Sequence, residues 1–386
     1  MKKENGITLV ALVVTIVVLI IIAGVTLSLT IGNGGIMKRA KEAKERYGQA
    51  SKNEQKDLDT VEDYMNKMTV GETTGGGSGS TVDGVPIPEG YYYVGGTKAK
   101  GLVISDAEAD NEKYKGQENV GKDLAGNQWV WVPVETPSSL YTTVTEGVAL
   151  SGSTGVKTTK YTNSAIISGR TRRLPGSTDY REPDILPYSG FDDTNYATAG
   201  FSSLANMAET MVSEYEEMIA SLEKYKGFYI GRYELTANGE KTGATQTNKN
   251  WWELYKNCTT LASGTKVKTR MIWGLQWDAT CKWLATSNFD ITNSSTWGNY
   301  SNNTAGGHGT KQNTGYSESW KANNIYDFAG NCYEFIQEAY HTSIRASRGG
   351  YYSDNGSYYP ASSRYNSYPT YTGSDFGSRP TLYLIP

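Results

Sequence analysis

The sequence has little of what metal centres and redox sites are made from. Its 386 residues include 2 histidines, His308 and His341, and 3 cysteines, Cys258, Cys281 and Cys332. A zinc site of Cys and His ligands would take almost the whole supply, which argues against one. No Gly-x-Ser-x-Gly pattern stands between a strand and a helix, so nothing in the sequence supports a serine hydrolase either.

An excess of positive charge is also missing. Lys and Arg total 37 against 40 Asp and Glu, a net charge of -3, and no segment is basic enough to neutralise a phosphate backbone. We therefore expect no nucleic-acid partner. The abundant residues are tyrosine (29) and glycine (43), against 7 Phe and 11 Pro. Aromatic side chains that carry a polar group suit a surface that makes contacts.

The longest hydrophobic run lies at the N-terminus. Residues 7–31 carry no charge, and a helix of this length would be about 37 Å long. Such a helix crosses a hydrocarbon core of about 30 Å. Lys2 and Lys3 precede the run, so the positive-inside rule places the N-terminus in the cytoplasm and the rest of the chain outside. The sequence predicts a single-pass membrane protein with an extracellular head on the cell surface.

Residues 1–6 resemble the leader of a type IV prepilin, which a dedicated peptidase removes after a glycine, here Gly6. Ile7 and Thr8 match the residues that follow the cut, whereas Ala11 stands where the family has an acidic residue that supports subunit registration. The resemblance implies processing at Gly6 and other pilin-like subunits as partners. Residues 32–70 carry an apolar stripe at helical spacing and predict an amphipathic stalk helix. This helix either continues a pilin-like helix or is a simple spacer.

A linker separates this N-terminal part from a large domain. Residues 71–81 contain only Gly, Ser, Thr and one Glu, which is the composition of a flexible linker. From residue 82 to residue 386, short runs such as Gln128–Val134 and Gly227–Leu235 predict strands, whereas Ser202–Tyr225 and Trp277–Ala285 predict helices. Many short strands and few helices predict an α+β domain.

Four blocks in this domain, taken in order, resemble the sulfatase-modifying-factor family. They are Trp129-Val-Trp-Val-Pro133, Phe228-Tyr-Ile-Gly-Arg-Tyr-Glu-Leu-Thr236, Trp277-Asp-Ala-Thr-Cys-Lys-Trp-Leu284, and Asn324-Ile-Tyr-Asp-Phe-Ala-Gly-Asn-Cys-Tyr-Glu-Phe335, followed by Arg348-Gly-Gly350 and Gly377-Ser-Arg379. The type member of the family is the formylglycine-generating enzyme, whose fold is a C-type-lectin variant. The resemblance covers roughly residues 128–384 and implies a C-type-lectin-like head on the N-terminal transmembrane helix.

The chain lacks the two cysteines that the resemblance would require of an enzyme. Members of the family that oxidise a substrate cysteine use two copper-binding cysteines just after the Arg-Gly-Gly block, and residues 351–359 contain none. We interpret Cys281 and Cys332 as buried structural residues, so we expect no catalysis and no organic cofactor. An oxidase with relocated cysteines stays the disfavoured alternative.

The resemblance also implies a calcium ion at the Gly-Asn turn. Residue by residue, its ligands here would be the Asp327 side chain, the Gly330 and Cys332 carbonyls and the Glu334 carboxylate. Such oxygen ligands suit Ca²⁺. The alternative is a turn in which Asp327 and Glu334 simply accept hydrogen bonds.

Tyrosine is concentrated near the C-terminus. Residues 351–371 include 7 of the 29 tyrosines, and most of the remainder are Ser, Asn, Asp, Gly or Thr. This is the vocabulary of antibody paratopes, in which Tyr supplies contact area and the small polar residues adapt their hydrogen bonds. The predicted ligand-binding residues are Tyr351, Tyr352, Ser353, Asp354, Asn355, Ser357, Tyr358, Tyr359, Ser363, Tyr365, Asn366, Ser367, Tyr368, Tyr371, Ser374, Asp375 and Phe376. The alternative is a tyrosine-rich strand pair that packs against the domain.

Residues 351–378 also resemble the ligand-facing segment that diversity-generating retroelements rewrite in lectin-fold proteins. Those elements mutate adenines and so never produce Lys, Glu or Trp, and this segment contains none of the three. We therefore expect a surface receptor or adhesin whose C-terminal face binds a protein ligand on another cell, a phage or a host surface. Carbohydrate is a possible ligand too. A noncatalytic minor pseudopilin is the first alternative.

Overall fold

The computed structural model describes residues 79–135, 195–262, 264–304, 306, 309–341 and 344–386, with the backbone of three further strands at 143–146, 159–162 and 179–182. The predicted leader, membrane span, stalk and most of the linker lie outside the described residues. In the part of the chain that is described, no helix has both the length and the apolar character that a membrane crossing requires.

The described residues form a sheet-rich α+β fold, as predicted. Their strands, in chain order, are β1 Thr81–Val82, β2 Val85–Pro86, β3 Tyr92–Gly95, β4 Val103–Ser105, β5 Gln128–Pro133, β6 Thr143–Glu146, β7 Thr159–Thr162, β8 Asp179–Glu182, β9 Gly227–Gly231, β10 Val267–Met271, β11 Lys321–Ala322, β12 Ile325–Tyr326, β13 Tyr333–His341, β14 Ile344–Arg348, β15 Arg364–Ser367, β16 Phe376–Ser378 and β17 Pro380–Leu384. Their α-helices are α1 Leu204–Tyr225, α2 Trp251–Cys258 and α3 Gly274–Thr286.

The centre of the fold is a six-stranded antiparallel sheet with the strand order β10-β17-β9-β5-β4-β3. Both of its faces are buried, because alternate residues of β5 belong to different apolar clusters. Trp129 and Trp131 pack in one cluster, and Val130 and Val132 pack in the other. Strands β3 and β4 lie in this sheet, so residues 82–128 belong to the same fold and are not a separate cap.

The helices begin and end where local chemistry dictates. Helix α1 begins after Ser203, whose Oγ accepts the Asn206 amide hydrogen at 3.0 Å, and ends at Lys226 with φ of 61°. This agrees with the predicted helix over Ser202–Tyr225. Helix α2 was not predicted, although Asn250 and Glu253 form a capping box at its start.

A second sheet of four strands, in the order β15-β14-β13-β16, carries the tyrosine-rich segment. Its strands are antiparallel except for β13 and β16, which run parallel and pair Tyr333 with Phe376. Buried ion pairs hold it to the rest of the fold. Arg348 bonds Asp278 of α3 at 2.5 Å, and Arg379 before β17 bonds Glu334 at 2.7 Å. Because both partners are buried, losing either one would leave an uncompensated charge.

Residues 142–163 and 288–314 are rich in Ser, Thr, Asn and Gly, a composition that predicts loops, and the structure gives the two segments different outcomes. Strands β6 and β7 lie within residues 142–163, where we expected a loop, and pair with β8 in a three-stranded sheet. Of residues 288–314, the described ones contain no helix or strand, as expected, and only isolated bridges occur there.

Candidate functional site

The tyrosine-rich segment runs from the end of β14 through a loop, β15 and a second loop to β16. The preceding Arg-Gly-Gly block starts it with two glycines in the left-handed region, Gly349 at φ 87° and Gly350 at φ 73°. A Cβ on Gly350 would lie 2.5 Å from the Tyr359 carbonyl oxygen. Only glycine therefore allows the chain to leave β14 and fold back over the sheet.

The aromatic rings of this segment form one connected network around Tyr333, the first residue of β13. Tyr333 stacks on Tyr351 and on Tyr365, each with ring centroids 5.1 Å apart. The network continues through Tyr352, Tyr359 and Tyr358, and through Phe376 to Tyr371, with centroids 5.0 to 6.1 Å apart. We call the seven tyrosines 333, 351, 352, 358, 359, 365 and 371 the tyrosine face.

Tyr333 is the residue that sequence reasoning missed. Its hydroxyl donates to Asp354 Oδ2 at 2.5 Å, and its amide donates to the Asp375 carbonyl at 2.8 Å. Burial, followed by the nearby Asp354 carboxylate, raises the pKa of Tyr333 well above its usual value. The sequence signal that could have found it is its place two residues before Phe335 on the same strand, because residues two apart in a strand lie on the same face of the sheet.

The first loop is built by its polar side chains. Asn355 Oδ1 accepts hydrogen bonds from the Ser357 amide at 2.9 Å and from Asn302 Nδ2 at 3.0 Å. Asn302 Oδ1 in turn accepts the Gly356 amide hydrogen at 2.8 Å. The Asp354 carbonyl accepts the Ser301 amide at 3.0 Å. The small polar residues therefore fix the backbone of this loop, in which Tyr358 is exposed and Tyr351, Tyr352 and Tyr359 are half-buried.

The second loop is held through its backbone. The Pro369 carbonyl accepts the Trp251 amide, and the Gly373 carbonyl accepts the Asn248 amide, both at 2.9 Å. Lys311 Nζ donates to the Ser374 carbonyl at 2.9 Å. None of these three bonds uses a side chain of the loop.

The predicted ligand-binding residues divide by exposure. Two lie below the surface, since Ser363 is 0% exposed and Phe376 is 4% exposed. Phe376 packs beneath the rings of Tyr333 and Tyr371 and supports the face from within. The exposed ones are Ser353, Asn355, Tyr358, Tyr368, Tyr371 and Ser374, and the half-buried ones are Tyr351, Tyr352, Asp354, Ser357, Tyr359, Tyr365, Asn366, Ser367 and Asp375.

The residues expected to bind calcium do not present a carboxylate pair to an ion. Arg379 donates to both oxygens of Glu334, at 2.7 to 3.1 Å. Asp327 Oδ2 accepts from Thr314 Oγ1 at 2.8 Å and from the Gly315 amide at 2.7 Å, while Oδ1 has no hydrogen-bond partner among the described residues. Burial raises the pKa of Asp327 to about 6 and that of Glu334 to about 7. As placed, Glu334 does not fit a calcium ion, and bound calcium stays a prediction.

All three cysteines are buried. Cys258 and Cys281 are 0% exposed and Cys332 is 1% exposed. Burial raises the pKa of Cys281 to about 12 and also raises the pKa of the other two thiols. A buried thiol with a raised pKa is a poor nucleophile and a poor copper ligand. The prediction that Cys281 and Cys332 are buried is confirmed.

No protein-family model and no curated protein matches the chain. Among solved structures it is similar to Treponema denticola variable protein 1, at 16% identity and a TM-score of 0.30, over 42% of this chain and 85% of that one. It is also similar to CarF, at 14% identity and a TM-score of 0.33, over 42% of this chain and 88% of that one. PvdO from Pseudomonas aeruginosa is 14% identical with a TM-score of 0.36, over 69% of this chain and 98% of that one. Similarities at this level define neither ligand nor activity.

Proposed function

We propose that this chain is a ligand-binding protein and that the tyrosine face is its binding surface, with a protein as the ligand. The observation that carries the proposal is the connected ring network, in which six exposed or half-buried tyrosines are linked to the buried Tyr333. Tyr358 and Tyr371 are 47% and 43% exposed, and Tyr368, in the turn before Tyr371, is 62% exposed. Exposed aromatic side chains gathered in one patch usually mark an interaction site.

The physical chemistry of tyrosine supports this use. A tyrosine ring offers a large apolar area at a low cost in side-chain entropy, and its hydroxyl stays hydrated until a partner supplies a hydrogen bond. The rings here are held by neighbours and by a loop that polar side chains fix, so little freedom remains to be lost on binding. Aromatic anchors of this kind contribute about 2 kcal/mol or more each when they act as hot spots.

The buried thiols support a noncatalytic role. An oxidase of the formylglycine-generating type needs accessible thiolates, and the three thiols of this chain are all enclosed. We further propose a C-type-lectin-like fold for the domain and display on a cell surface by the membrane helix predicted over residues 7–31. A pseudopilin role depends on the same N-terminal residues, which lie outside the described part of the chain.

We also propose that a diversity-generating retroelement rewrites residues 351–378, which carry every tyrosine of the face except Tyr333. The composition of residues 351–378 supports this, and so does the division of labour in the structure. The second loop is held by backbone hydrogen bonds, which do not depend on the side chains that it carries. A surface that binds variable ligands requires a backbone that stays in place while the side chains on it change.

Selection of peptides on the full chain tests the proposed binding surface. Phages that display random 12-residue peptides are selected on the wild type and then measured on a Tyr358→Ala, Tyr371→Ala double variant. We expect the double variant to bind at least tenfold more weakly, with a melting temperature lower by no more than a few degrees. Tyr316→Ala is the matched control, because Tyr316 is 54% exposed and lies outside the face.

Three results would contradict the proposal. Equal binding by the double variant would place the binding surface elsewhere. A large fall in the melting temperature would show that the two tyrosines are core residues. Competition by soluble glycans but not by peptides would indicate a carbohydrate ligand.

A further inference from the structure

The exposed charge of the tyrosine face is entirely negative within residues 351–378. This segment contains three charged residues, Asp354, Arg364 and Asp375. Arg364 is 2% exposed and forms an ion pair with the buried Glu338. The two carboxylates, both half-buried at the surface, are therefore the charges that the segment offers to a partner.

These two carboxylates differ in what they bond. Asp354 Oδ2 accepts the Tyr333 hydroxyl at 2.5 Å and the Tyr351 amide at 3.3 Å, so it holds the face together. Asp375 uses its backbone carbonyl to accept the Tyr333 amide. Among the described residues, nothing donates a hydrogen bond to the Asp375 carboxylate. The structure therefore does not explain this carboxylate as a scaffold group.

The Asp375 carboxylate lies beside aromatic rings at a position that glycine keeps open. A Cβ on Gly373 would be 2.4 Å from Asp375 Oδ1, 2.5 Å from Tyr371 Cε1 and 2.8 Å from the Tyr371 hydroxyl oxygen. Asp375 also reaches Tyr352 electrostatically, because burial and then the Asp375 carboxylate raise the pKa of Tyr352. Asp375 is the main cause of the raised pKa of Tyr371. We call Asp375, Tyr371, Tyr352 and Gly373 the Asp375 corner.

Lys311 is bonded close to the Asp375 corner but does not pair with the Asp375 carboxylate. Lys311 reaches the same loop, where its Nζ donates to the Ser374 carbonyl at 2.9 Å and to Thr247 Oγ1 at 3.0 Å. In the described part of the chain, no Lys or Arg nitrogen lies within ion-pair distance of the Asp375 carboxylate. Lys311 therefore bonds next to the corner while the carboxylate itself stays unpaired.

A carboxylate beside tyrosine rings is a site for a basic side chain. A guanidinium or ammonium group gains a charge-assisted hydrogen bond from the carboxylate and a cation–π contact from the rings. Given the proposed binding function, on which this step rests, we infer that the Asp375 corner binds an arginine or lysine side chain of the protein partner. The corner then supplies polarity and orientation, while the remaining tyrosines supply contact area.

The peptides selected on the full chain test this inference, with Asp375→Asn as the variant. Asparagine keeps the backbone bond to Tyr333 and the size of the side chain, removes the negative charge and replaces one acceptor oxygen by an NH2 donor. We expect the selected peptides to be enriched in Arg or Lys at one position and to bind Asp375→Asn at least tenfold more weakly, with the difference shrinking as salt is added. Replacing the basic residue of a peptide by Ala should abolish the difference between the two proteins. Glu89→Gln, which removes an exposed carboxylate outside residues 351–378, is the control and should bind like the wild type.

The outcomes separate this inference from the proposed function. Peptides that lose binding in the Tyr358→Ala, Tyr371→Ala variant but lack a basic residue, or bind Asp375→Asn as well as the wild type, would overturn the inference alone. Peptides that the double tyrosine variant binds normally, or a selection that yields no binder, would overturn both. Gly373→Ala provides a second variant, because its Cβ displaces the Asp375 carboxylate and the Tyr371 ring together. It should weaken the binding of basic peptides more than that of peptides without a basic residue.

Discussion

Glu240 is an enclosed carboxylic acid beside Gly231 of β9. It is 0% exposed, its Oε2 accepts the Tyr233 amide at 3.3 Å, and its Oε1 has no hydrogen-bond partner among the described residues. Burial raises its pKa well above the usual value, the Arg379 guanidinium opposes this, and the Glu334 carboxylate adds to it. Such a group favours the protonated form in the folded protein.

Replacing Glu240 by Gln should change how stability depends on pH. Below about pH 4.5 the carboxyl is protonated in both the folded and the unfolded chain, so its contribution to stability is constant. Above that pH the unfolded chain releases the proton while the folded chain keeps it, so stability falls as pH rises towards the folded pKa. We expect the wild type to lose up to about 1.4 kcal/mol per pH unit relative to Glu240→Gln over this range.

Urea unfolding of both proteins between pH 4 and pH 8 measures the difference. Glu89→Gln is the control, because Glu89 is exposed and its removal should leave the slope of the wild type unchanged. A slope that is the same in the wild type and in Glu240→Gln would mean that the folded protein holds Glu240 ionised, and the raised pKa would be wrong.

At the scale of elements, the loop before β15 depends on a partner from a distant part of the chain. Asn302 bonds both Asn355 and the Gly356 amide, at 3.0 and 2.8 Å. Asn302→Ala removes both bonds, and at about 0.5–1.5 kcal/mol each we expect a loss of about 1–2 kcal/mol in the free energy of unfolding. Hydrogen exchange at the Gly356 amide should become faster, because that amide loses its acceptor.

Chemical denaturation and amide hydrogen exchange check this prediction together. Ser353→Ala is the comparison, since Ser353 is exposed in the same loop and should affect neither measurement. If the exchange rate of Gly356 stayed unchanged in Asn302→Ala, the loop would be fixed by something other than this asparagine pair.

The same scale shows what the sequence could predict about elements. Helix α1 and strand β5 were predicted within two residues, because Met207, Met211 and Met218 repeat at helical spacing and the Trp-Val alternation repeats at strand spacing. Helix α2 was not predicted, because Trp251 and Trp252 are adjacent at its start and its apolar residues form no stripe long enough to recognise. Strands β6 and β7 were not predicted, because the Ser, Thr and Gly residues around them in the sequence are typical of a loop.

The candidate site was predictable in composition but not in arrangement. The density of tyrosine marked residues 351–378, yet it could not show that Tyr333 lies at their centre, since its contacts with Tyr365 and Phe376 depend on the assembly of the sheet β15-β14-β13-β16. Nor could it separate Ser363, which is enclosed, from Ser353, which is exposed. Serine has the same hydropathy in both places, and only the tertiary fold distinguishes them.

At the scale of the whole molecule, the structure predicts which positions of the segment can vary. Replacing Ser363 or Phe376 by a residue of another size would open a cavity or force a clash, because both side chains are enclosed. Tyr358, Tyr368 and Tyr371 project into solvent, so exchange for Ser, Asn or Asp costs the fold little. If a retroelement rewrites residues 351–378, substitutions should therefore occur at exposed positions and be absent from enclosed ones.

Sequencing the 3′ end of this gene and its neighbourhood in sibling isolates tests this prediction. We expect adenine-templated substitutions in the codons for residues 351–378, concentrated at exposed and half-buried positions whose side chains do not hold the loops, such as Tyr358, Tyr368 and Tyr371. The codons for Ser363 and Phe376 should stay constant, and so should that for Tyr333, which lies outside the segment. A nearby reverse transcriptase gene and a near-identical template copy should accompany them. Substitutions spread evenly over enclosed and exposed codons would contradict the arrangement of the face, and an invariant segment would indicate a fixed adhesin or a pseudopilin, because a surface with one ligand has no use for variation.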